Sequence, residues 1–470
     1  MKHRLFLCAW LILILSMSPL ATTRAQPPSA PARLLVDINP TGDAAPQSFV
    51  SLGTTLFFLA DDGVHGRELW ATDGTAQGTR MVADINPTGD GILTPRPLLP
   101  LDGWLYFEGN DGIHGRELWR SDGTAAGTAM VKDIAPGAPS GLIALGVVNG
   151  DLLLTADDTI HGAELWRSDG TAAGTTLLKD INPASLSSDP ADFTAVHGWT
   201  YFSASDGIHG RELWRTDGTT AGTALVIDLR PHSADRLLLT ELVRVGERLF
   251  FLADAGGSQG LSIWRTDGTA ASTQHVAALP QNTAKFQYAR LFNRNDQLYY
   301  VSNSTTALRC EVHGPAMVRT FRSCPVAATI VAVNGRVFFA ASDDPLPNHL
   351  WSTDGTELGT HLVWTIDPDG TAGTITALLG SGGWLYLSAR DTPTGHELWQ
   401  SDGTAGGTRL LHDINGGVAS SRPENLIASS GQVVFAADDG IHGREVWMVA
   451  VVPRWVPQQF LPLLSQGEHE

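Results

Sequence analysis

Tryptophan returns along this chain at nearly fixed intervals, each time inside the same words. GRELWATDGTAQGT surrounds Trp70, GRELWRSDGTAAGT Trp119, GAELWRSDGTAAGT Trp166 and GRELWRTDGTTAGT Trp214. Looser copies follow at Trp264, Trp351 and Trp399, and the last, REVW at Trp447, lacks the DGT. Successive intervals are 49, 47, 48 and 50 residues, then 87, 48 and 48. The long interval holds a degenerate copy, ALRCEVHG, with Cys310 in the tryptophan position. Nine units of about 48 residues result, and a chain built that way folds as a repeat array rather than around one core.

Each unit reads as four short strands, as in LLPLDG, WLYFEGN, GRELWRSDG and GTAMVKDI, which are rich in alternating or branched apolar residues and separated by Gly, Asp and Asn. No segment carries a helical period. The pattern predicts an all-β fold, a β-propeller of about nine four-stranded blades, with a β-solenoid as the structural runner-up. Eight blades plus one irregular unit is the alternative count, because the sixth unit matches so poorly. The last unit stops after its third strand, REVWMVA, while RLLVDINP near the start matches the fourth-strand pattern MVADINP. The N-terminal strand is therefore expected to complete the last blade and close the ring, leaving no open sheet edge.

ELW stands at 68–70, 117–119, 164–166, 212–214 and 397–399, and seven DGT turns begin at Asp73, Asp122, Asp169, Asp217, Asp267, Asp354 and Asp402. With these words the chain resembles the ELWxxDGT repeat family of secreted bacterial proteins across residues 33–450. The resemblance implies an extracellular propeller and no particular activity. The chain departs from the pattern at Ser262-Ile263, Cys310 and His349.

Lys2 and Arg4 precede the apolar run Leu5–Leu15, and Thr23-Arg24-Ala25 has the small residues of a signal-peptide cleavage site. Residues 1–25 read as a signal peptide, 26–452 as a single propeller domain and 453–470 as a C-terminal tail. That places the chain outside the cytoplasm, secreted or at the cell surface, with no transmembrane anchor in the mature part. Lys plus Arg total 31 against 49 Asp plus Glu, a formal charge of −18, which argues against a nucleic-acid partner. Cys8 leaves with the signal, so Cys310 and Cys324 remain as a candidate disulfide across the sixth hairpin.

Most recurring residues have structural readings. The Gly, Asp and Thr of DGT suit the hairpin between the third and fourth strands. The Trp and Leu of ELW pack between blades, and Glu68, Glu117, Glu164, Glu212, Glu397 and Glu445 share the tryptophan's face and need a donor. The loop between the second and third strands repeats an Asp–His pair: Asp62/His65, Asp111/His114, Asp158/His161, Asp206/His209 and Asp439/His442. In a propeller these loops emerge beside the DINP segments at Asn39, Asn86, Asn182 and Asn415, forming one polar ring and the candidate binding face. The bland reading of each pair is an Asx-type turn plus a His hydrogen-bonded to a neighbouring loop. Calcium is the candidate cofactor, with Asp61, Asp62, Asp111, Asp158, Asp438 and Asp439 as ligands, although no EF-hand spacing is present.

Because these Asp and Glu recur as repeat elements, no one-off catalytic group stands out. The sequence therefore favours a monomeric, non-catalytic, non-enzyme scaffold for binding or adhesion at the cell surface, with a protein or polysaccharide ligand. The alternative is a propeller hydrolase or dehydrogenase with an axial active site.

Overall fold

The computed structural model describes residues 30–454 except 94–97, 142–144, 184, 231–238, 255–259, 280–288, 295, 305–308, 315–316, 322–329, 343–348 and 368–372. In the first unit Gln47–Leu52, Thr55–Asp61, Arg67–Thr72 and Arg80–Ala83 pair antiparallel in chain order. The second strand, TLFFLAD, buries five consecutive residues rather than alternate ones. Neighbouring blades cover both of its faces, which an apolar run requires and an alternating strand does not.

The same four-stranded sheet occurs nine times. Even the degenerate sixth unit folds into it, through Ala289–Arg294, Gln297–Ser304, Arg309–Gly314 and Met317–Phe321. The count is therefore nine blades, numbered 1 to 9 in chain order. Blade 8 comprises Thr374–Ser381, Trp384–Asp391, Gly395–Ser401 and Arg409–His412. Blade 9 takes Glu424–Ser429, Gln432–Asp438 and Arg444–Ala450 from the end of the chain and Arg33–Val36 from its beginning. Leu34 stands opposite Trp447 in that last pairing.

First strands of neighbouring blades lie side by side, including those of blades 9 and 1, so the first strands surround the axis. Phe58 of blade 1 packs with Val434 and Val446 of blade 9, which closes the ring. The core is a series of interblade clusters; Leu69, Leu118, Leu165, Leu213 and Leu398 of the ELW words are fully buried. Among the described residues no helix is long and apolar enough to cross a membrane. The candidate bridge of Cys310 to Cys324 lies outside the described side chains; in the hairpin register Cys310 stands opposite Phe321.

Candidate functional site

One end of the ring carries the loops between second and third strands together with the segments that link one blade to the next. The buried Glu of each ELW ties the two. Glu445 accepts from the backbone N–H groups of Ile38, Asn39 and Ala44 at 2.9, 3.2 and 3.3 Å. Glu164 accepts from Ile181, Asn182 and Ser188 N–H groups and from the Ser188 hydroxyl. Glu117 and Glu397 hold their following linkers the same way. These carboxylates are linker anchors, and burial pushes Glu68, Glu212 and Glu445 up to about 7 despite the donors.

In all five loops the His bonds the Asp of its own loop, three residues back, and not a neighbouring loop as the sequence reading expects. Nδ1 of His65, His114, His161, His209 and His442 lies 2.7, 2.6, 2.8, 2.7 and 2.8 Å from the Oδ2 of its Asp. The other carboxylate oxygen of Asp62 accepts from Val64 N and His65 N. Burial works to raise the Asp62 pKa, but the combined donors hold it below its usual value. The hydrogen bond to Asp62, followed by its charge, raises His65. The pairs occupy blades 9, 1, 2, 3 and 4, a contiguous arc once the ring is closed. Each carries an exposed branched residue at its tip: Val64, Ile113, Ile160, Ile208 and Ile441.

The linker asparagines reach the neighbouring loop as expected. A Cβ on Gly63, Gly112, Gly207 or Gly440 would come within 2.5 to 2.9 Å of the Oδ1 of Asn39, Asn86, Asn182 or Asn415. At the fifth such loop Thr159 replaces the glycine, and Ala135 replaces the asparagine.

The candidate calcium ligands are already engaged locally. Asp61 and Asp438 accept from Gly63 N and Gly440 N, and Asp62, Asp111, Asp158 and Asp439 serve their own loops. Among the described residues no three metal-ligating side chains are grouped to hold an ion.

Blade 8 breaks the repeat on this same end. The residue before its ELW is His396, where blades 1, 2, 4 and 9 place Arg67, Arg116, Arg211 and Arg444. His396 Nε2 lies 2.9 Å from Ser388 Oγ and 3.0 Å from Thr376 Oγ1, and the two hydroxyls are 3.2 Å apart. Ser388 is fully buried, whereas Thr376 is exposed. Thr376 sits on the first strand of the blade, next to the axis, where the register slips between Ile375 and Ala377. Such bulges redirect a side chain out of the sheet's regular alternation. Burial, then the charges of Arg390, Arg422 and Arg444, lowers His396 to about 4, so the ring is neutral at pH 7. With the ring proton on Nδ1, Nε2 is an acceptor within reach of both hydroxyls, and the single proton of Thr376 goes either to Ser388 Oγ or to Nε2: an exposed alcohol beside a neutral base. Sequence reasoning missed this group; its signal is the single exchange of Arg for His before ELW.

No family model matches the chain, and none of the curated proteins matches it. Solved structures do resemble it. A puromycin hydrolase S511A mutant complexed with PGG is 14% identical, with 87% of this chain and 61% of that one covered and a TM-score of 0.39. A Mycobacterium tuberculosis puromycin-hydrolyzing peptidase is 12% identical, with 88% and 61% covered and a TM-score of 0.44. The dihydro-heme d1 dehydrogenase NirN in complex with DHE is 11% identical, with 80% and 76% covered and a TM-score of 0.41. The chain thus spans about three fifths of the length of the two puromycin-hydrolysing proteins. The expectation of a non-catalytic, non-enzyme scaffold finds no counterpart among these chains, which are a hydrolase, a peptidase and a dehydrogenase; likeness at these TM-scores assigns no activity to this one. His396 is, moreover, a one-off group that the sequence reading did not single out.

Proposed function

We propose that the chain is a secreted propeller hydrolase of the ELWxxDGT type that cleaves an acyl ester or amide at the axial edge of blade 8. One observation carries the reading: exposed Thr376 and buried Ser388 both place a hydroxyl within hydrogen-bond reach of neutral His396 Nε2. In the reaction Nε2 takes the proton from Thr376 Oγ1 as that oxygen bonds to the acyl carbon. The bond to the leaving alcohol or amine breaks, and the leaving group takes the proton from His396. Water, deprotonated in turn by His396, bonds to the acyl carbon; the bond to Thr376 Oγ1 breaks, the acid leaves, and His396 returns the proton to Oγ1. Ser388 orients the imidazole and does not itself reach the substrate. The Asp–His loops, with their branched tips, offer a surface on which remote parts of the substrate rest.

The test is hydrolysis of acyl esters and peptides by the full chain. T376V and H396Q are each expected to lower kcat/KM by about a hundredfold or more, the ordinary scale for a nucleophile or its base. The pH profile of kcat/KM is expected to be flat through neutrality and to fall with an acid limb near 4, where free His396 takes up its proton. Hydrolysis that survives both substitutions would refute the assignment.

A further inference from the structure

Blade 8 departs from the repeat at two more positions, and both departures add a positive charge. The residue opposite the third-strand position that precedes ELW, or its counterpart, is Asp61 in blade 1, Asn110 in blade 2, Asp157 in blade 3, Ser205 in blade 4, Asp254 in blade 5 and Asp438 in blade 9. In blade 8 it is Arg390, directly opposite His396. Ser388 and Arg390 are two residues apart on one strand and share a face, so the guanidinium, the imidazole and the hydroxyl lie on the same side of the sheet.

The second departure is in the linker to blade 9. Ala45 and Asp189 occupy one linker position at φ 45° and 47°, bonding back to the carbonyls of Arg444 and Ala163. Arg422 holds that position at φ 48° after blade 8, and its N–H donates to the His396 carbonyl at 3.0 Å. Both arginine side chains are exposed, and neither has an acidic partner among the described residues. Other arginines on this end do: Arg67 faces Asp90 at 3.8 Å, Arg116 faces Glu108 at 3.6 Å, and Arg444 faces Glu424 at 3.0 Å. A chain with a formal charge of −18 thus leaves two guanidiniums uncompensated beside one histidine.

We infer that Arg390 and Arg422 form an oxyanion-recognising pair, and that the substrate of blade 8 carries a carboxylate, phosphate or sulfate group next to its scissile bond. The inference rests on the hydrolase reading above. Guanidiniums suit such groups because their planar donors match two oxygens at once. There is a catalytic corollary. The same positive charges weaken His396 as a base, so a bound anion that neutralises them returns basicity to the imidazole only when substrate is in place.

Inorganic phosphate is the probe, titrated calorimetrically into the full chain at constant ionic strength. Binding is expected in the wild type and in T376V, and to weaken about tenfold or more in R390Q and in R422Q, the scale of one lost charge-assisted hydrogen bond. Both side chains are exposed, so unchanged melting temperatures serve as the control for folding. Phosphate binding that R390Q and R422Q leave unaltered, or no binding by the wild type, overturns the inference while leaving T376V free to test the hydrolase. Binding lost in both arginine variants with no ester hydrolysed supports the anion site and sinks the hydrolase instead. If both hold, anionic esters are cleaved with a lower KM than neutral ones, and the acid limb of kcat lies above that of kcat/KM.

Discussion

At the scale of single residues, the repeat serves as its own control. Four loops pair a glycine with a facing asparagine, and one pairs Thr159 with Ala135. The volume that threonine adds is the volume that alanine gives up. Gly112→Thr should therefore cost about 2 to 3 kcal/mol, from a left-handed backbone at φ 75° and from the clash with Asn86. Asn86→Ala in the same chain should return about 1 kcal/mol of that, read as a coupling energy in a denaturant double-mutant cycle. Strict additivity would show that the two positions do not share the space. The blade 8 group became visible by the same logic: His396 and Arg390 matter because the register places them where other blades put Arg67 and Asp61.

At the scale of the element, the buried Glu of ELW decides how one blade is joined to the next. Glu117→Ala would strip the acceptor from Ile134 N–H and Ser140 N–H, and should cost about 2 to 4 kcal/mol. The charge state of these carboxylates also gives stability a pH slope. Glu68, Glu212 and Glu445 rise from 4.5 to about 7, so between those values the native chain binds more protons than the unfolded one. Their favourable contribution is complete below pH 4.5 and is lost as pH rises through about 7. The five paired histidines, also raised, act in the same direction above 6.5. Melting temperature should accordingly drop by about 5 °C or more between pH 5 and pH 8, and Glu68→Gln should flatten the slope. A melting temperature that rises over that interval would contradict the assignment of burial as the dominant cause.

At the scale of the molecule, the propeller and its closure were legible because strand length, turn chemistry and tryptophan spacing all repeat. RLLVDINP matched a fourth strand in words, and Leu34 stands opposite Trp447 in fact. The count of nine was less legible, since blade 6 lost both its tryptophan and its DGT yet kept the hairpin register. The recurring Asp and His were legible as a turn, but the partner of the His was not: it is the Asp of the same loop and not a neighbouring loop. The blade 8 group could not be read either: Thr376, Ser388 and His396 lie on three strands, and no residue type announces the bulge beside the exposed Thr376. Nine blades share one scaffold, and the account assigns chemistry to one of them. The most direct test is to incubate the full chain with an activated acyl ester, quench it in acid and map acylated residues by mass spectrometry. A single acyl adduct on Thr376 is expected, absent from H396Q and reduced in R390Q when the ester is anionic. An adduct elsewhere, or equal labelling of Thr376 with and without His396, would contradict it.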